Sequence, residues 1–114
     1  MLATAIILFI IAAMFGLIVV TAVLRNQPTP KPVVFIHGLI AATALVIVIY
    51  YYYQGHANTL LLTSLVIFVL AALGGLTMFT IDMSKKPIPK ALAIIHPLAA
   101  ATALVLLIIY FLKG

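Results

Sequence analysis

The sequence contains no cysteine, and only one of its 114 residues is acidic. The first absence excludes disulfides, thiolate metal sites and thiol catalysis, and leaves no redox compartment to be read from cysteine usage. The second, set against six Lys/Arg, leaves 6% charged residues beside 68% hydrophobic ones, with a mean hydropathy of +1.44. A soluble domain carries about 25% charged residues, because polar surface must coat its core. Too little polar material is present here to coat anything. A soluble enzyme, a nucleic-acid binder and a disordered chain are therefore excluded. The net charge of +5 does not point to nucleic acid, since six cations scattered through apolar sequence form no basic patch. What remains is an integral membrane protein with the lipid bilayer as its first partner.

Four apolar runs, at 2–24, 33–53, 60–82 and 91–112, each exceed the roughly 18 residues that a membrane span requires. Their continuity predicts helices, because barrel strands would alternate apolar and polar residues. Short links force neighbouring helices to run antiparallel. The expected fold is thus an all-α, up-down four-transmembrane-helix bundle forming a single domain. The first run is read as a span, not a leader: it lacks a basic start, its apolar stretch is long, and no A-x-A site follows.

Shifting the chain by 59 residues aligns 1–55 with 60–114 without a gap and gives 23 identities in 55 pairs. The run from Ala41 to Val46 recurs as Ala100 to Val105, and Pro28, Pro30, Lys31 and His37 recur as Pro87, Pro89, Lys90 and His96. Biased composition scatters matches and does not repeat such runs. The pattern is that of a duplicated helical hairpin, whose two copies run the same way about an axis along the membrane normal. Arg25, Lys31, Lys85, Lys86 and Lys90 lie in or beside the first and third loops, and only Lys113 lies at the other end. The positive-inside rule places loops 25–32 and 83–90 in the cytoplasm and both termini outside, with a bacterial inner membrane as the expected setting. Tyrosines at 50–53 and 110 fall where an aromatic belt belongs.

Metal-binding side chains inside a span are costly and mark function by default. His37 and His96 each follow the loop lysine by six residues, roughly 9 Å into the span at ~1.5 Å per residue. In a parallel repeat they face each other across the bundle at one depth. Small residues surround them: Ala41 and Ala44 on the face of His37, Ala100 and Ala103 on that of His96, and Ala12-x-x-x-Gly16 and Ala71-x-x-x-Gly75 on the other helices. Two inward imidazoles among small residues suit a flat ligand with a central metal. Haem fits best, with His37 and His96 as axial ligands and Gly16, Gly75 and the alanines admitting the macrocycle. Lys31 and Lys90 stand where its propionates would need charge partners.

This arrangement resembles the four-helix membrane b-type cytochrome core, in which histidines and glycines occupy alternate helices. The resemblance rests on His37, His96, Gly16 and Gly75. It implies one bis-histidine haem b per chain and electron transfer, with quinone or a redox protein as partner. Many members of that group carry two histidines on each ligating helix and stack two haems. Here each such helix has one, so a single haem is the maximum and a transmembrane relay is not expected.

Other readings apply to the same residues. Small-xxx-small patterns also serve plain helix packing, and intramembrane histidines also serve as hydrogen-bonding contacts. A haem storage, transfer or sensing protein would look alike, and so would a cofactor-free channel, transporter or assembly subunit. A homodimer is compatible with the sequence. Thr43 and Thr102 are expected to bond their own helix carbonyls, His56 to be a solvated loop residue, and Asp82 to pair with Lys85 or Lys86. Pro97, where the other half has Gly38, is expected to kink the fourth span.

Overall fold

An uninterrupted apolar run leaves the backbone to satisfy its own hydrogen bonds, and a helix does so within one segment. In the computed structural model, which describes residues 1–113, the chain forms α1 (Leu2–Leu24), α2 (Lys31–Tyr53), α3 (Thr59–Met83) and α4 (Lys90–Lys113). Each is long and apolar enough to cross a membrane. The bounds lie within two residues of the expected spans, and α2 and α4 reach back to include Lys31 and Lys90. Pro32 sits in the first turn of α2, where a missing N–H has no helical partner to lose. Asn58 caps α3, its side-chain oxygen accepting from the N–H groups of Leu60 and Leu61 at 2.8 and 3.3 Å.

The ends of α1 and α3 close in the same way. Asn26 (φ 56°) and Lys85 (φ 60°), which are 59 residues apart, turn left-handed. The next N–H then bonds back five residues, from Gln27 to the Ala22 carbonyl and from Lys86 to that of Ile81.

Each helix packs on its two neighbours, α1 on α2 and α4, α3 on α4 and α2, so that α1–α3 and α2–α4 are the diagonals. The bundle measures 43 × 23 × 20 Å. Its hydrophobic core lies towards the termini. There Phe9 and Phe68 stack across the α1–α3 diagonal with centroids 4.0 Å apart and planes 5° from parallel. Leu61, Leu107 and Val48 are fully buried around them. Beyond this stack, towards the lysine-bearing loops, the buried helical residues are Ala12, Ala22, Ala71 and Ala93. No larger helical side chain is buried in that half among the described residues. Phe15, Met78 and Phe79 are half-buried in that half, and other large apolar side chains, among them Leu17, Leu39, Leu76 and Leu98, face outward.

Besides the histidine contacts described below, polar ties cross the helix seams at two places. Ser64 donates to the Ala103 carbonyl at 2.7 Å, fully buried, where the other hairpin has Ala5. Asp82 accepts from Thr29 at 2.6 Å and from Lys31 at 2.7 Å, which joins the two hairpins. Lys85 and Lys86, the partners expected from sequence proximity, are not the ones used. The left-handed turn at Lys85 carries the chain past the end of α3, whereas α2 begins beside that end. The counterpart of Asp82 is Val23, so the tie forms on one seam only. Asp82→Asn should lower the unfolding free energy by about 1–2 kcal/mol, the scale of a partly buried charged hydrogen bond. Ser64→Ala should cost about 0.6 kcal/mol, as interhelical bonds in membranes do. Unfolding by SDS titration in detergent micelles checks both, and an unchanged midpoint for Asp82→Asn would contradict the tie.

Candidate functional site

His37 stands six residues into α2 and His96 six residues into α4, so diagonal packing brings both rings to the bundle centre at one level. Their centroids are 6.2 Å apart and their planes lie at 85°. Each ring is anchored on the other helix of its own hairpin. His37 Nδ1 lies 2.7 Å from the Ala12 carbonyl oxygen, and His96 Nδ1 lies 2.8 Å from that of Ala71. A carbonyl only accepts, so each Nδ1 carries a hydrogen, and in a neutral ring Nε2 then keeps its lone pair. Neither Nε2 bonds to the protein. Nor is either sealed off, since no buried side-chain nitrogen or oxygen lacks a partner among the described residues.

The glycines of the two A-x-x-x-G motifs lie against these rings. A Cβ at Gly16 would stand 3.0 Å from His37 Cε1 and 3.3 Å from its Nδ1; one at Gly75 would stand 3.1 Å from His96 Cε1. The space each glycine leaves is therefore taken by an imidazole. Gly38, by contrast, faces open space. Ala41 and Ala100, one turn from the histidines, are half-buried, while Ala44 and Ala103 lie inside the core with the phenylalanine stack. Of the two loop lysines, Lys31 is held by Asp82. Lys90 is exposed and makes no side-chain hydrogen bond or ion pair among the described residues. Thr43 and Thr102 bond the carbonyls of Leu39 and Leu98 at 2.8 and 2.9 Å, as expected. His56 is exposed at the far end, its ring stacked on Tyr51 at 3.9 Å. Pro97 lies inside α4 immediately after His96.

The carbonyls of Ala12 and Ala71 are functional groups that sequence reasoning passed over, because backbone oxygens carry no side-chain signal. The available clue was the i, i+4 spacing of alanine and glycine, which sets the glycine directly over the alanine carbonyl. In their neutral form the two imidazoles have unbonded nitrogens that are both acceptors. Two acceptors cannot bond to each other, so the pair can be satisfied only by a third group, a hydrogen-bond donor such as water or a Lewis acid such as a metal ion. No cluster of three or more His, Cys, Asp or Glu forms among the described residues.

Compared with protein-family models, curated protein sequences and solved structures, the chain matches none.

Because the chain has no cysteine, the facing of the two rings can be probed directly. The double variant His37→Cys, His96→Cys should be bridged within one chain by a short bis-methanethiosulfonate cross-linker, each thiolate displacing one methanesulfinate. Each single variant should yield no such bridge, as read by intact mass after blocking free thiols. Failure of the double variant to bridge would place the two positions apart.

Proposed function

We propose that the chain is a small integral membrane cytochrome b, with His37 and His96 holding one haem b between α2 and α4. The observation that carries this reading is the pair of Nδ1-anchored rings, centroids 6.2 Å apart, with both Nε2 lone pairs uncommitted. A porphyrin would complete the coordination that two protein ligands leave open. When bound, the haem supplies an iron that takes up and gives back one electron, at a potential set by ligands and burial. The residues do the rest. The Ala12 and Ala71 carbonyls orient the imidazoles and raise their basicity as ligands. The alanine-lined half of the bundle holds no large buried side chain that would compete for the interior, and the Phe9–Phe68 stack bounds it towards the termini.

Lys90 is the loop lysine open to a propionate, since Lys31 is already neutralised by Asp82. The cation distribution supports reading this end as cytoplasmic, with a lipid-soluble quinone or a redox protein reaching that side as the exchange partner. The 59-residue repeat is read as a duplicated hairpin, which accounts for equivalent histidines on the two diagonal helices.

Protein expressed with ample haem and purified in detergent should carry one haem per chain. Its reduced-minus-oxidised absorption spectrum should show low-spin Soret and α bands. His37→Ala and His96→Ala should each abolish the low-spin form, and a quinol analogue should reduce the wild type. A colourless protein, or low-spin bands that survive His37→Ala, would contradict the assignment. Bands without quinol reduction and with rapid haem loss to an apo-protein acceptor would favour haem storage or transfer.

A further inference from the structure

We propose that Gly16 and Gly75 are positioning residues that set the tautomer of the two histidines. In an α-helix the group on Cβ of residue i+4 reaches the carbonyl oxygen of residue i, which is how Ser and Thr bond back along a helix. This chain uses that bond repeatedly. Thr21, Thr43 and Thr102 donate to the carbonyls of Leu17, Leu39 and Leu98 at 2.7, 2.8 and 2.9 Å. At Ala12 and Ala71 residue i+4 is glycine, and the empty place is entered by an imidazole from the neighbouring helix.

The consequence is chemical as well as steric. With the carbonyl reachable, Nδ1 donates to it, and Nε2 of both neutral histidines is left as an acceptor without a partner in the protein. An alanine Cβ at position 16 would stand 3.0 Å from Cε1 and 3.3 Å from Nδ1 of His37, so the ring would have to give by a few tenths of an ångström, loosening its 2.7 Å bond to the Ala12 carbonyl. With that bond loosened, the preference for hydrogen on Nδ1 weakens and the imidazole gains access to the Nε2–H form. One donor and one acceptor would then face each other and could bond directly, closing the site to a metal. The glycines thus keep two neutral rings in the one arrangement that cannot satisfy itself. The purpose given to this arrangement rests on the haem reading, but the tautomer belongs to the polypeptide alone and can be tested without haem.

The test is ¹⁵N NMR of haem-free protein labelled at histidine, in lipid nanodiscs, at a pH where the imidazoles are neutral. Wild-type His37 and His96 should both show the pattern of hydrogen on Nδ1. Gly16→Ala should shift part of the His37 population to hydrogen on Nε2 and leave His96 unchanged; Gly75→Ala should do the reverse. Gly38→Ala, which meets no atom within 4 Å, should leave both unchanged. The two variants are independent, so if one fails to keep wild-type helix content the other decides. Hydrogen on Nε2 in the wild type, or tautomer populations unchanged from wild type in a folded Gly→Ala variant, would overturn the proposal. If the tautomers behave as expected but haem never binds, the haem reading falls and the positioning role stands.

Discussion

Hydrocarbon offers no hydrogen-bond partner, and the structure is organised around that lack. The backbone answers it by coiling into four helices whose ends are closed by Asn58 and by the paired left-handed turns at Asn26 and Lys85. Exposed threonines answer it by turning back onto their own carbonyls. Ser64 and Asp82 answer it by bonding across helix seams, where they also hold the seams together. The histidines answer it by half. Each spends Nδ1 on a neighbouring backbone oxygen and leaves Nε2 with nothing in the protein to bond. In a chain this poor in polar groups, two uncommitted nitrogens at one level are the feature that other forces do not explain away.

The pairs that lie near the bundle axis are the ones the two hairpins share. Phe9 with Phe68 and His37 with His96 are related by the same 59-residue offset, and each residue meets its own counterpart. Contacts on the lateral seams differ instead. The α2–α3 seam has the Lys31–Asp82 pair and the edge-to-face Phe35–Phe79 contact, at 5.5 Å, where the α4–α1 seam has Lys90, Val23, Ile94 and Val20. An axial position is constrained by its own image, and a lateral one only by a different helix. The charge asymmetry that follows leaves Lys90 without an acid, which gives an anionic group one side of the bundle to prefer.

The fold was largely readable beforehand, because length and hydropathy decide where a chain crosses lipid and short loops decide which helices are neighbours. Placing His37 opposite His96 followed from the offset alone. Contacts that depend on local backbone direction were not readable. Lys85 and Lys86 follow Asp82 closely in sequence, yet one left-handed residue turns the chain away and gives the carboxylate to Lys31. Gly16 and Gly75 were picked out for smallness, but composition does not say which group will use the space. That answer required the ring positions. Ala44 and Ala103 share a helical face with the histidines, yet two turns of rise carry them into the core.

The functional reading therefore stands on geometry, not on kinship: anchored rings, open nitrogens, and a half-bundle lined by alanine. Electron exchange at this site would be confined to the lysine-bearing end, since the phenylalanine stack and the aliphatic core fill the rest of the interior. The most direct measurement is low-temperature EPR of the oxidised protein loaded with haem. Two axial imidazoles with planes near 85° should give a strongly anisotropic low-spin ferric signal at one spin per chain. A high-spin signal, or no iron signal from folded protein, would contradict bis-histidine ligation.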